Sequence, residues 1–194
     1  NATLARANLS GANLTGANLR FCNLANANLT AAKLDGAQLE HATLWQTNLT
    51  QASLRGAVYS TRSFELPAFG DAEAIGSPGA GFWETVLTEA NLERLVAPGA
   101  VFLDLDLSGV SLAHADLRRA TFLRCRLAKS SFEGANLTQA TFVEVQAQGV
   151  SFRGAKLQNA RFVERTDASE ASFVGAELLA ANLRDTGLVG ADFT

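Results

Sequence analysis

Residues 7–21 read ANLSG ANLTG ANLRF, so one five-residue unit occurs three times in succession. A short fixed period is the signature of a solenoid, in which one small structural unit is stacked many times. We call the leucine or phenylalanine position of the unit i. Leucine occupies position i at every fifth residue from Leu4 to Leu54. The repeat therefore determines the architecture of this part of the chain.

The residue types within the unit predict an extended conformation. The position two before i is small, and it is alanine in most units. One large and one small apolar residue, two apart, face the same way on an extended chain. The remaining positions are polar or glycine, which suits solvent-facing and turn positions. A period of five does not match the 3.6-residue period of a helix, so we expect an all-β fold around a narrow apolar core.

The period resumes at Leu87 and continues to Phe193, with a slip of one residue near Asp167. In this block phenylalanine takes position i in two sets, at 102, 122, 142 and 162 and at 132, 152, 173 and 193, with leucine at most positions between, and this alternation requires an even number of sides per coil. The outward residue after i differs between two sets of phenylalanines, so we expect four sides and about 20 residues per coil. One set should then stack in a single column in the core: Phe102, Phe122, Phe142 and Phe162.

The tandem Ala-Asn/Asp-Leu-x-x units resemble the pentapeptide-repeat family over residues 2–56 and 85–194. The resemblance implies a right-handed quadrilateral β-helix, here of about eight coils. We expect one continuous domain over 1–194, with a first repeat block at 2–56 and a second at 85–194. Residues 57–84 lose the period and are rich in aromatic residues, proline and glycine. The stretch from Gly56 to Tyr59 through Phe64, Pro67 and Phe69, with residues 97–100 on return, resembles an insert of cyanobacterial members. We expect residues 57–84 to pack on the rod as a covering loop or as a docking element.

Composition excludes several classes of function. The 16 basic and 19 acidic residues give a net charge of −3, which argues against a nucleic-acid-binding surface. No stretch approaches the roughly 18 apolar residues of a membrane helix. The chain starts within a repeat at Asn1, so we expect it to be part of something longer. The remainder of that chain, or a multi-protein complex, is a candidate partner, and the sequence indicates no particular compartment.

The sequence offers no constellation of catalytic, cofactor-binding or metal-binding residues. The two histidines, His41 and His114, occupy corner positions in different blocks, without further ligands at metal spacing. Cys22 and Cys125 fall on the small inward position, which predicts two buried, unpaired thiols. The glycines recur at corners with the period, and no serine lies in a nucleophile elbow. We therefore expect a protein that is not an enzyme.

One surface column stands out once the coil length is set at twenty. Leu103, Leu123, Val143 and Val163 face outward in line, and we call them the apolar stripe. A second column runs beside it with Asp104, Arg124, Glu144 and Glu164. The stripe is either covered by another segment of the protein or binds a partner, in which case it should be exposed and flat. The candidate partner-binding residues are Leu103, Leu123, Val143, Val163, Asp104, Glu144, Glu164, Phe82 and Trp83.

Two functional hypotheses follow. The first is a structural or protein–protein interaction module that presents a rigid rod to partner proteins. The second, which the resemblance implies, is a DNA mimic that binds a DNA-handling enzyme such as gyrase. Only Asp104, Glu144 and Glu164 favour the second hypothesis. Arg124 interrupts their column, and a net charge of −3 is small for a competitor of a polyanion.

Two local features are also predicted. The asparagines that precede i should stack at 20-residue spacing, as Asn8, Asn28 and Asn48, and hydrogen-bond along the stack. The slip of one residue should produce a bulged corner at 166–169, with Asp167 turned to solvent.

Overall fold

The structure, a computed structural model, describes residues 2–60 and 82–194. Its named strands are β1 (Phe82–Trp83), β2 (Val101–Leu103), β3 (Thr121–Leu123), β4 (Thr141–Val143) and β5 (Arg161–Val163). They form one parallel sheet in the order β1-β2-β3-β4-β5. Isolated parallel bridges connect the other sides of the coils. The fold is a right-handed quadrilateral β-helix, as predicted.

Each coil has four sides, which we number in chain order. Side 1 contains the five strands, and its position-i residues in these strands pair at 20-residue spacing, from Phe82 to Phe162. The bridges on the other sides keep that spacing over most of the rod, as between Asn8 and Asn28 on side 2, Asn13 and Lys33 on side 3, and Asn18 and Gln38 on side 4. The predicted coil of about twenty residues is therefore confirmed.

Tight turns join most sides. The amide of Ala7, for example, donates to the carbonyl oxygen of Leu4 at 3.0 Å. Arg6, the third residue of that turn, has a φ of 61°. A positive φ at the third residue defines a type II turn. The Asn at the position before i supports the corner, because its Oδ1 accepts the amide two residues later, as Asn8 does from Ser10 at 3.2 Å.

The core contains the predicted column of phenylalanines. Rings in consecutive coils stack nearly parallel, with centroids 4.6 Å apart for Phe102–Phe122, 4.9 Å for Phe122–Phe142 and 4.5 Å for Phe142–Phe162. A second column on side 3 meets the first edge-on, with Phe152 5.8 Å from Phe142 at 79°. All of these rings are fully buried. The two columns fill the space between opposite sides.

The interruption of the repeat is shorter than residues 57–84. Tyr59 takes position i on side 4 and is fully buried, and Val58 bridges Val96. Phe82 takes position i on side 1 and stacks on Phe102 at 4.9 Å. In the coil that precedes the insert, each residue therefore aligns with the residue 38 positions later, as Gln46 does with Glu84. The predicted packing of the insert on the rod concerns mainly residues 61–81, which lie outside the described residues.

The slip of one residue occurs earlier than predicted. Glu164 and Arg165 have φ values of 51° and 60°, so two left-handed residues in succession form the corner after β5. Ala168 is fully buried at position i, and Asp167 lies half-buried on the outward position that bridges Gln146. The bulge is therefore at 164–165, and the predicted bulge at 166–169 is wrong. Because Glu164 and Arg165 take up the one extra residue at the corner, no apolar residue is moved out of the core.

The asparagine column is confirmed in its position, with Asn8, Asn28 and Asn48 bridged in succession. Its predicted hydrogen bonding is only partly seen. Asn28 Nδ2 donates to Asn8 Oδ1 at 3.4 Å. Asn28 Oδ1 and Asn48 Oδ1 instead accept local amides, from Thr30 at 3.1 Å and from Thr50 at 3.0 Å. The column therefore stabilises individual corners more than the stack.

Candidate functional site

The apolar stripe lies on the outer face of side 1. Leu103, Leu123, Val143 and Val163 pair in register through β2–β5, and none belongs to the core cluster. Leu103 and Val143 are only 6% and 4% exposed, whereas Leu123 and Val163 are half-buried. A uniformly exposed, flat stripe is therefore not what the structure shows. Its accessible part consists of Leu123 and Val163.

The two aromatic candidates for partner binding, Phe82 and Trp83, occupy successive positions of the repeat unit. Phe82 is fully buried in the core column, so it cannot contact a partner, and its assignment to the partner-binding set is wrong. The backbone of Trp83 pairs with Leu103 at the head of the stripe, and the prediction for its side chain lies outside the described residues. Trp45 aligns with Trp83 by the offset that brings Gln46 to Glu84. The half-buried Trp45 thus extends the stripe by a further coil.

The column of Asp104, Arg124, Glu144 and Glu164 lies at the corner between sides 1 and 2. Glu144 and Glu164 are exposed. Asp104 receives two hydrogen bonds from Arg124, at 2.7 and 2.8 Å, and this pairing raises the pKa of the Arg124 guanidinium. Glu84 extends the column by one coil and accepts a hydrogen bond from Gln46 at 2.7 Å. The column is therefore mixed in charge, with a neutralised pair between two acidic ends.

A groove of about 310 Å³ opens at the same corner, lined by Asp104, Leu105, Asp106, Arg124 and Arg126. Its four charged residues, which we call the charge square, comprise two aspartates on one coil and two arginines on the next. Arg126 Nη1 and Asp106 Oδ2 are 3.9 Å apart, and their side chains are 66% and 58% exposed. Hydrogen bonds from Ser108 lower the pKa of Asp106. Within the charge square, Asp104 and Arg124 are therefore hydrogen-bonded to each other, whereas Asp106 and Arg126 are too far apart for a mutual hydrogen bond.

The exposed large apolar residues in the described parts of the chain were not identified from the sequence: Phe21, Val86, Leu179, Val189 and Phe193. Val86 is 44% exposed on side 2, next to the charge square, where most other coils carry a polar residue. Its replacement of an asparagine in the repeat was the signal that could have identified it. Phe21 is 49% exposed at a corner and stacks on His41 at 4.8 Å.

Titratable side chains do not converge on a reactive centre. In the described parts of the chain, no three His, Cys, Asp or Glu residues are grouped so that they could hold a metal ion. His41 and His114 both lie at corners, as predicted, with φ values of 60° and 58°. Cys22 and Cys125 are buried and free, and burial raises the pKa of the Cys125 thiol to about 12. Neither thiol is activated as a nucleophile.

Residues 2–60 and 82–194 contain no helix that is long and apolar enough to cross a membrane.

Comparisons with known proteins agree with this architecture. A sequence profile of pentapeptide repeats in eight copies matches residues 1–30, 32–58 and 85–122, and a profile of the pentapeptide repeat region matches residues 115–193. The chain belongs to the pentapeptide-repeat family. A comparison with curated protein sequences gives no match.

Solved structures of similar fold come from several sources. HetL, a pentapeptide repeat protein involved in heterocyst differentiation regulation in the cyanobacterium Nostoc sp. strain PCC 7120, is 24% identical, with 98% of this chain and 88% of HetL covered and a TM-score of 0.37. QnrB1, a plasmid-mediated fluoroquinolone resistance protein, is 16% identical, with 100% and 92% covered and a TM-score of 0.35. Rfr23, from the cyanobacterium Cyanothece 51142, is 16% identical, with 86% and 87% covered and a TM-score of 0.20.

Proposed function

We propose that this chain is a non-catalytic module that presents a rigid β-helical rod to partner proteins. The contact surface we assign is the edge between sides 1 and 2. It comprises the accessible stripe residues Leu123 and Val163 and the exposed carboxylates of Glu144 and Glu164. Leu103 and Val143 lie in the same column but are buried, and Asp104 contributes through its pair with Arg124.

The observation that carries the proposal is the coincidence of two in-register columns on one edge. Outward positions on the other sides hold mainly polar residues, whereas side 1 carries aliphatic residues from β2 to β5. Apolar residues flanked by exposed charge are typical of protein interfaces, in which a buried centre is surrounded by a polar rim. The stacked backbone hydrogen bonds hold these side chains at one-coil spacing, about 4.8 Å. A rigid surface of this kind loses little entropy on binding.

The DNA-mimic alternative has less support from the same geometry. A mimic requires a continuous acidic face, because it must reproduce the regular charge of the phosphate backbone. The bidentate contact of Arg124 with Asp104 neutralises the middle of the acidic column on this edge. We therefore rank partner binding through a mixed apolar and charged edge above mimicry of DNA.

The test is affinity capture from the native source followed by a comparison of variants. The variant E144K/E164K reverses two exposed carboxylates of the edge, and its matched control E133K/E170K reverses two exposed carboxylates away from it, Glu133 on side 3 and Glu170 at the corner between sides 2 and 3. We expect both variants to fold, because all four side chains are solvent-exposed. A partner retained by the wild type and the control, but lost by E144K/E164K, supports the proposal.

Two other outcomes would overturn it. Equal retention by E144K/E164K would place the contact surface elsewhere on the rod. Capture of a DNA-handling enzyme, together with inhibition of its DNA binding by the wild type, would support the mimic instead.

A further inference from the structure

The charge square has a property that neither of its ion pairs shows alone. Asp104 and Asp106 lie side by side on one coil, and Arg124 and Arg126 lie directly beside them on the next. The register of β2 and β3 and the bridge between Asp106 and Arg126 place each aspartate opposite one arginine. Negative charge therefore occupies one half of the square, and positive charge occupies the other half.

Such a square is complementary to itself. A two-fold axis that passes between the two coils, perpendicular to the rod, exchanges the aspartate coil of one copy with the arginine coil of the other. Asp106 of one copy then faces Arg126 of the second, and Asp104 faces Arg124, with both contacts made twice. An isologous interface requires this kind of self-complementarity.

The same two-fold axis also determines which residues next to the charge square face each other across the interface. Val86, which is 44% exposed, would face Gln146 of the second copy across the interface. One pair is unfavourable, because Glu84 would face Glu144 and both carboxylates are exposed. Two sets of ion pairs thus oppose one set of like charges, which indicates a weak, salt-dependent association.

We propose that two copies of this chain associate side by side and antiparallel through the charge square. The exposed Arg126 guanidinium and Asp106 Oδ2 provide hydrogen-bonding capacity for the second copy, since these groups lie 3.9 Å apart, whereas Asp106 Oδ1 already accepts the amide of Ser108 at 3.0 Å. The tighter pair of Asp104 and Arg124 sets the register. This inference goes beyond the proposed function, because it requires no other protein and is tested on the purified chain.

The experiment is sedimentation velocity of the purified chain over a concentration series at low and at high ionic strength. We expect a monomer–dimer equilibrium that weakens as salt is raised. D106R alone places like charges opposite each other in the dimer, and so does R126D alone, so each should raise the dimer Kd by about tenfold or more. The control R55E/E93R exchanges an exposed pair on side 3 and should leave the Kd unchanged.

Two restoration experiments distinguish this interface from a general charge effect. The exchange D106R/R126D keeps the square self-complementary, so its Kd should return to the wild-type value. An equimolar mixture of D106R and R126D should form a heterodimer, because each variant supplies the charges that the other lacks. Removal of the like-charge pair by E144Q should lower the Kd.

The results that overturn the proposal are equally specific. A chain that remains monomeric at every concentration and salt condition contradicts it. Failure of the folded D106R/R126D variant to recover dimerisation also contradicts it, as does equal weakening by R55E/E93R. Circular dichroism of each variant establishes that it is folded. A negative result leaves partner capture through Glu144 and Glu164 unaffected.

Discussion

The hydroxyl of Thr166 lies 3.2 Å from the carbonyl oxygen of Phe142 in the preceding coil. It also lies 2.8 Å from the carbonyl oxygen of Val163, and it accepts the amide of Val145 at 3.3 Å. One buried side chain thus satisfies backbone groups at the corner between sides 1 and 2. Cys125 occupies the equivalent position two coils earlier, with its Sγ 3.3 Å from the carbonyl oxygen of Phe102. These buried side chains support the corner that carries the charge square.

Loss of the Thr166 hydroxyl should therefore destabilise the rod. T166V should lower the free energy of unfolding by about 1–3 kcal/mol, because buried backbone groups lose their partner. Valine fits the position sterically, since Val145 occupies the equivalent place one coil earlier and is fully buried. The control T166S keeps the hydroxyl. Urea unfolding curves that coincide for T166V and T166S would show that the hydroxyl is not needed.

The phenylalanine column should contribute strongly to stability. Phe142 is fully buried and stacks on rings in both adjacent coils. F142A should cost about 3–5 kcal/mol, the range for a buried phenylalanine whose cavity cannot collapse. The exposed-corner variant E133A is the control and should unfold like the wild type. A loss below about 1 kcal/mol for F142A in denaturant unfolding would contradict the assignment of this residue to the core.

Cys125 should make stability depend on alkaline pH. Burial raises the pKa of its thiol from 9.0 to about 12 in the folded chain. A raised folded-state pKa contributes stability that is complete below pH 9 and is lost as pH rises towards 12. The wild type should therefore lose stability relative to C125T across this range, because threonine at the equivalent Thr166 makes the same contact. Parallel pH profiles for the two proteins would show that the thiol is not protected.

The stripe residues should differ in their tolerance of charge. Val143 is 4% exposed, so V143E should cost about 2 kcal/mol or more, since a buried carboxylate lacks a partner. V163E should cost less than about 1 kcal/mol, because Val163 is half-buried at the next coil. Thermal and urea unfolding of both variants provide the measurement. Equal, small costs would mean that the whole stripe is open to solvent.

The repeat predicted most of the fold because each unit carries its own pattern of large, small and polar residues. Leu9 and Phe102 follow directly from that pattern. Tyr59 and Phe82 were missed as sides of a coil because they border the non-repeating segment. The bulge was placed two residues late, since Glu164 and Arg165 are polar and leave the apolar pattern unchanged. A period gives the direction in which Leu103 points, but its burial depends on what packs against the outer face.

For the candidate site, the sequence predicted which residues lie in one column but not the contacts that they make. Twenty-residue spacing placed Leu103, Leu123, Val143 and Val163 in one line, and the structure confirms that register. The ion pair of Arg124 with Asp104 depends on rotamers and could not be read from spacing. Trp45 was missed because the insert shifts its alignment from 20 residues to 38.

Carboxylate footprinting of the captured complex tests the central claim most directly. The chain is labelled with a carbodiimide and an amine, alone and with its partner bound, and modification of each peptide is measured by mass spectrometry. The proposed interface predicts protection of Glu144 and Glu164, while Glu133 on side 3 and Glu170 at the corner between sides 2 and 3 remain modified as in the free chain. Protection of Glu133 or Glu170, with Glu144 and Glu164 still fully modified, would contradict the assignment of the edge between sides 1 and 2 as the partner-binding surface.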